Sequence, residues 1–454
     1  MLSSFTLYSL LLFFFILTGH GFLPLFDRRR PSQNMSSAGK NNENSEGTFL
    51  LSTTTSASSR VVNTLNPCVV LIQQLVQEHQ LLWKEKGGIY SLAQGIVYWN
   101  PPESVNQSLR DALQSEDQSL HLYGPDEGLP ELRKLLQKKI QVENGLMSPQ
   151  YQVMVTSGAN QAYMNCVLTL LDPNDQAVVF APYYFNHVMA LQLSLSKNEN
   201  ILIGPTTDQG KPDIEWLRES FQSKPSVRMV TITNPNNPLG VFLTREDLQP
   251  IVDLCEEFNA FLILDCTYEY FVPDTLPCFN EAPHVLYIFS FSKSYALAGY
   301  RIGYVVLPSS HLYQQMMKVQ DTIPICPSRI SQVAAVGAMQ AGKRWVLQQY
   351  DTLSPGRQAI LQALQDCPRI IGGQGAMYIM AQLPTNEGNG DSRADDVGFA
   401  RQLVRDSGVA VIPGSFCGAP GWIRVCYANL PPEKCQLAAD RLKAGLASWI
   451  LEIK

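Results

Sequence analysis

The chain has 454 residues, 45% of them hydrophobic and 16% charged, with a formal net charge of −6 at pH 7. That length allows two or three domains with buried cores, and that composition belongs to a globular enzyme, neither a disordered nor a fibrous chain. The acidic balance gives no basic footprint for nucleic acid, and the ten scattered cysteines form no C-x-x-C and no zinc-like Cys/His cluster, a usage that suits a reducing compartment.

Residues 5–17 are almost wholly apolar and are followed closely by Gly19 and Gly21. The run is too short for a membrane span and reads as the core of a signal peptide, although no basic residues precede it. Arg28-Arg29-Arg30 and a Ser/Thr/Asn-rich stretch with few acids follow to about Ser59. Together these resemble the two-part leader of plastids acquired by secondary endosymbiosis, with Phe22 as the aromatic near the junction. A plain secretory signal with a linker, or a single membrane anchor, are the alternatives. Residues 1–60 are set apart from the fold, and no stable membrane partner is expected once the leader is removed.

From Pro67, the apolar residues Val69, Leu71, Ile72, Leu75 and Val76 recur at helical spacing. In Ser91-Leu92-Ala93-Gln94-Gly95 a glycine ends a short apolar run, which admits a ligand close to the backbone or simply makes a turn. The next residues, Ile96-Val97-Tyr98-Trp99, offer apolar and aromatic surface expected to meet a ligand's side chain, or else to pack a domain interface. Tyr123-Gly124-Pro125-Asp126-Glu127-Gly128 is a turn into a helix opened by Pro130, with Leu132, Leu135 and Leu136 on one face.

A strand at 153–156 then feeds Ser157-Gly158-Ala159-Asn160 and a helix to about residue 171. A small-residue turn at a helix start presents free amides and the positive end of the helix dipole, a phosphate site made of backbone. Further strands at 177–180, 229–233, 261–264 and 284–289 run into Pro182-Tyr183-Tyr184-Phe185, the twin Asn-Pro turn Asn234–Gly240, Asp265-Cys266-Thr267-Tyr268, and Ser290-Phe291-Ser292-Lys293 with Arg301 eight positions later. Asp265 directly follows four apolar residues, where a carboxylate is costly to bury unpaired. Hydroxyls, a lysine and an arginine beside flexible backbone suit a ligand with a phosphate and a carbonyl: Lys293 condenses with the carbonyl as a Schiff base while Ser290 and Arg301 hold the phosphate. Five strands separated by helices, each ending in ligand-type residues, describe an open α/β sheet with its site at the carboxyl ends.

In the last third, strands are expected from Gly375-Ala376-Met377-Tyr378, over 409–415 and over 421–427, before a helix at 432–450. Arg424 falls inside an apolar strand, where a guanidinium needs an anion: a ligand carboxylate held by both its nitrogens, or a structural salt bridge.

The pattern S-x-S-K-x(5)-G-x-R-x-G around Lys293, with N-P-N-N-P-L-G, D-C-T-Y and Y-G-P-D-E-G ahead of it, resembles the class I/II aminotransferases of fold type I, and the likeness runs in order from about Pro67 to the end. The resemblance implies an α/β fold whose large domain has a mostly parallel central sheet, with a smaller α/β carboxy-terminal domain. Residues 61–105 would form the arm and part of the small domain, 106–335 the cofactor domain and 336–454 the rest of the small domain. It implies pyridoxal 5'-phosphate carried on Lys293, with Ser290, Ser292, Arg301, Gly158, Ala159 and Asn160 at the phosphate and Tyr184 stacked on the pyridine ring. Asp265 would pair with the ring nitrogen, and Asn237 and Tyr268 would hold the ring oxygen. Lys293, Asp265 and Tyr268 take the catalytic roles, Gly95, Asn237 and Arg424 meet the substrate carboxylate, and Tyr123 crosses a homodimer interface to the partner's phosphate. Leu239 departs from the usual Thr or Ser and loses a hydroxyl there.

L-A-Q-G-I-V-Y-W-N-P-P, P-Y-Y-F-N and Q-D-T-I-P-I-C are similar to the plant aromatic type, which pairs methionine with aromatic 2-oxo acids. The expected partners are thus an L-amino acid, a 2-oxo acid and a second copy of the chain. Elimination on the same site, as in C–S lyases or aminocyclopropane-carboxylate synthases, stays open. A non-catalytic scaffold fits poorly, since Lys293, Asp265, Arg301 and Arg424 are all present.

Overall fold

Runs of apolar residues buried on both faces draw the chain into one large sheet. The computed structural model describes residues 57–385 and 394–453, so the leader read at 1–60 lies, up to residue 56, outside the described residues. In chain order the strands are β1 (Tyr90–Ser91), β2 (Gln152–Thr156), β3 (Gln176–Phe180), β4 (Ile201–Gly204), β5 (Val227–Thr233), β6 (Phe261–Asp265), β7 (Val285–Ser290), β8 (Gly303–Leu307), β9 (Ile370–Gly372), β10 (Tyr378–Gln382), β11 (Val409–Ala410), β12 (Ile412–Pro413) and β13 (Trp422–Cys426). The helices that matter for the site are α1 (Cys68–Trp83), α2 (Pro130–Val142), α3 (Ala159–Leu170), α4 (Phe185–Ser194), α5 (Arg245–Glu257) and α6 (Pro432–Glu452).

The large sheet has the order β2-β8-β7-β6-β5-β3-β4. Its neighbours pair in parallel except β8, which runs antiparallel between β2 and β7. Side chains alternate between the faces, so each strand feeds two cores. Met154, Val179, Met229, Ile263 and Leu286 meet Tyr163, Cys166 and Val167 of α3 and Val188 and Leu191 of α4. Val153, Val178, Val230, Leu262 and Tyr287 belong with Leu132, Leu136 and Ile140 of α2 and Leu248 and Ile251 of α5. The five expected strands are all present. β4 and β8 had not been foreseen, since β4 is short and β8 directly follows the glycine-bounded Arg301.

A second sheet, β12-β13-β10-β9, is antiparallel throughout. The strand expected over 409–415 is broken: Val409–Ala410 pairs with β1 and Ile412–Pro413 with β13. This break stitches the amino-terminal segment onto the second sheet. Leu92 N–H donates to Ala410 O at 2.8 Å, and Cys426 N–H donates to Leu92 O at 2.8 Å. Residues 91–95 are thereby laid beside Arg424, whose Cα is paired with Ile412 on one side and Met380 on the other.

Candidate active site

The carboxyl ends of β2, β5, β6 and β7 and the middle of β13 face one cavity of about 640 Å³. Gly95, Ala159, Asn160, Tyr184, Asn237, Asp265, Tyr268, Ser290, Ser292, Lys293, Arg301 and Arg424 all line it. Gly158 stands just behind that wall. Tyr123 is elsewhere, on an outer loop with 78% of its surface exposed.

At one end of the cavity, α3 starts at Ala159 with no side chain capping it, so its first-turn amides face the cavity. Gly158, at φ +86°, makes that entry, and a Cβ there would lie 2.6 Å from a terminal nitrogen of Arg301. Arg301 itself is left-handed, at φ 53°, and one of its nitrogens donates to Ala298 O at 2.9 Å. The buried Ser290 hydroxyl accepts from Ser292 N–H at 3.1 Å. Open amides, a guanidinium and two hydroxyls make a site for a multiply charged anion such as a phosphate monoester.

Lys293 sits half-buried on the wall between this end and Arg424, and it has no salt-bridge partner among the described residues. Burial, opposed in part by Cys426 and helped by the cations Arg301 and Arg424, brings its amine down to about 8. A lysine so placed has a sizeable neutral, nucleophilic fraction near neutral pH.

Asp265, at the end of β6, is 5% exposed. Its Oδ1 accepts from Thr267 N–H at 3.0 Å and Thr267 Oγ1–H at 2.7 Å, and its Oδ2 lies 3.1 Å from His187 Nε2. His187 is a site residue that sequence reasoning missed. It lies on the first turn of α4, its ring 4.1 Å from that of Tyr163 and 5.2 Å from that of Tyr184. A histidine among apolar residues carries no motif, and only the fold brings it to Asp265.

Arg424 is buried, and no carboxylate is paired with it among the described residues. Its Nη1 donates to Asn237 Oδ1 at 2.9 Å and its Nη2 to Ala93 O at 2.6 Å, while its Nε is buried without any partner. The structural salt bridge is thus not what holds it. A buried guanidinium with an unmet donor and a cavity in front of it is built to receive an anion from outside.

The apolar wall differs from expectation. Of the segment 96–99 only Ile96 reaches the cavity. Trp99 is buried 6.2 Å from Phe271, ring stacked on ring, and Tyr98 donates to Thr352 Oγ1 at 2.7 Å, so both serve packing. The apolar surface comes instead from α1, through Val69, Ile72 and Val76, which alternate there with Gln73, Gln77 and Gln80. Tyr378, at the start of β10, also lines the cavity and was not foreseen.

A phosphate cradle, an amine near neutrality, a buried carboxylate and a guanidinium in one cavity fit a phosphorylated aromatic aldehyde together with an amino acid. The family model for "Aminotransferase class I and II" matches residues 88–442. The aromatic aminotransferase ISS1 of Arabidopsis thaliana is 40% identical over 363 residues, covering 78% of this chain and 89% of its own. Among solved structures, the aspartate aminotransferase of Thermus thermophilus with maleate superposes with a TM-score of 0.75 at 26% identity, over 86% of this chain and 100% of that one. The aromatic aminotransferase of Pyrococcus horikoshii does so with 0.71 at 26%, over 80% and 97%.

Proposed function

The chain belongs to the class I and II aminotransferases, pyridoxal-phosphate enzymes that move an amino group from an amino acid to a 2-oxo acid, and we propose that it favours neutral donors, methionine and the aromatic amino acids first. The observation that carries this choice is the lining of the cavity. One guanidinium, Arg424, serves the carboxylate common to all amino acids, and the wall that α1 lends carries Val69, Ile72 and Val76 beside three uncharged glutamines, with no second cation for an acidic side chain. Matching a thioether or ring to such a wall is worth roughly 1–3 kcal/mol, so the preference is clear without being absolute.

We assign the residues as follows. Lys293 carries the cofactor, and its freed amine moves the proton at the substrate Cα. Arg301, Ser290, Ser292 and the amides following Gly158 would hold the phosphate, and Tyr184 would offer its ring to the pyridine ring. Asp265, oriented by Thr267 and His187, would pair with the ring nitrogen, where a carboxylate charge favours the protonated form. When bound, pyridoxal phosphate supplies the electron sink that makes the substrate Cα–H acidic. Asn237 and Tyr268 hold the ring oxygen, and Arg424 with the Gly95 backbone orients the carboxylate.

A second copy of the chain completes the site in this reading. Leu122 and Tyr123 are 65% and 78% exposed, Ile323 and Ile325 48% and 42%. The two loops are tied together by Gly124 N–H to Cys326 Sγ at 3.4 Å and Arg329 to Tyr123 O at 3.3 Å, which gathers the apolar surface into one patch of the kind that marks an interface. The leader sequence supports delivery to a plastid; among the described residues no helix is long and apolar enough to cross a membrane.

The test of the substrate choice is kcat/KM for methionine, phenylalanine, tryptophan, aspartate and glutamate against one common acceptor. Methionine or an aromatic donor should lead. Aspartate or glutamate as the best donor would end the proposal.

A further inference from the structure

Resting on the cofactor reading above, we propose that Tyr378 is a positioning residue, which aims the Tyr268 hydroxyl at the cofactor and ties it to the carboxylate site. Four side chains form a closed circuit. Arg424 donates to Asn237 Oδ1 at 2.9 Å, Asn237 Nδ2–H donates to the Tyr268 oxygen at 3.4 Å, and Tyr268 and Tyr378 hydroxyls lie 2.7 Å apart. The Arg424 guanidinium closes the circuit, 4.6 Å from the centre of the Tyr378 ring. All four residues are buried at the cavity wall.

Elementary donor rules orient the circuit. A guanidinium only donates, so Asn237 turns its oxygen to Arg424 and its amide hydrogens to Tyr268. Burial holds both phenols well above their ordinary range, so both keep their protons. Tyr268 and Tyr378 have one proton each for the contact they share. The hydrogen bonds of Tyr378 include no other acceptor among the described residues, whereas Tyr268 would have one in the ring oxygen of a bound cofactor. Tyr378 therefore donates to Tyr268, and the Tyr268 oxygen, receiving two hydrogen bonds, sends its own proton into the cavity. A phenol that accepts is a better donor, because its hydroxyl is polarised. Tyr378 also has little freedom to move: a Cβ on Gly95 would collide with its hydroxyl. Gly95 thus leaves the room in which that hydroxyl sits.

The experiment uses the full enzyme reconstituted with pyridoxal phosphate and follows its visible absorbance against pH. Hydrogen bonding to the ring oxygen draws negative charge away from the neighbouring nitrogen, so weakening the Tyr268 donor raises the midpoint of that titration. Tyr378→Phe should raise it by roughly half a pH unit, the equivalent of one ordinary hydrogen bond. Tyr268→Phe should raise it further, and Tyr378→Phe added to Tyr268→Phe should move it no more, because the first residue acts through the second. Saturation with a non-reacting carboxylate, 3-phenylpropionate, should shift the midpoint in wild type and less in Tyr378→Phe. An unchanged midpoint in a folded, cofactor-loaded Tyr378→Phe, or equal shifts with and without the Tyr268 hydroxyl, would overturn the proposal. Absence of any cofactor absorbance in wild type would instead overturn the cofactor reading.

Discussion

Lys293 has the neutral fraction that the role proposed for it needs because of where it sits, not because of the residues beside it in sequence. The sign of its pH dependence follows. Only the unprotonated amine attacks a carbonyl, and burial has lowered the amine to about 8. The rate at which the cofactor-free protein captures pyridoxal phosphate should therefore climb about tenfold per pH unit below that value and level off above it. A rate still climbing steeply to pH 10 would show an ordinary exposed lysine. Asp265→Ala should leave the cofactor bound while turnover falls by roughly 10³-fold or more, since the ring nitrogen loses its charge partner. Steady-state kinetics on the reconstituted variant decides this, and near-normal turnover would assign the carboxylate another task. Asp265 and Arg424 could be picked out in the sequence because each is a charged group next to apolar strand residues, a placement that needs a partner, and Lys293 because it follows a strand between serines with Arg301 eight positions later. His187 and Tyr378 were not, because a histidine on a helix and a tyrosine on a strand satisfy local rules and acquire meaning only from what the fold sets against them.

At the scale of elements, the turn into α3 and the face of α1 do the positioning. Gly158→Ala should weaken pyridoxal phosphate binding by about tenfold or more, because the substituted backbone is strained at φ +86° and the new Cβ displaces Arg301. Equilibrium binding to the folded variant measures this directly, and wild-type affinity would contradict it. Val76→Ser, on the cavity face of α1, should lower kcat/KM for methionine and phenylalanine by roughly 3–10-fold and leave alanine almost unchanged. An equal loss for all three donors would make α1 a structural cover only. The five strands ending in ligand-type residues could be read because buried parallel strands are continuous apolar runs. The apolar wall could not. Ile96 to Trp99 and the α1 stripe both offer apolar residues in sequence, and only the tertiary fold brings Val69, Ile72 and Val76 to the cavity while Trp99 packs on Phe271.

For the whole molecule, the exposed patch around Tyr123 and Ile325 predicts a homodimer whose sites are shared. Mixing Lys293→Ala chains with Tyr123→Phe chains under conditions that allow exchange should give activity above the mean of the two parents at limiting cofactor, because each mixed dimer contains one complete site. Activity equal to that mean, or a fully active monomer, would confine the site to one chain.

Whether this cavity transfers an amino group or eliminates one is decided by a single half-reaction. The cofactor-loaded enzyme is given excess methionine with no acceptor, and the 2-oxo acid and ammonia released are counted. An aminotransferase should release about one equivalent of 2-oxo acid per chain and no ammonia, with the amino group kept on the enzyme until a 2-oxo acid is added. Continuous release of ammonia with the cofactor spectrum restored after each turnover would contradict transfer.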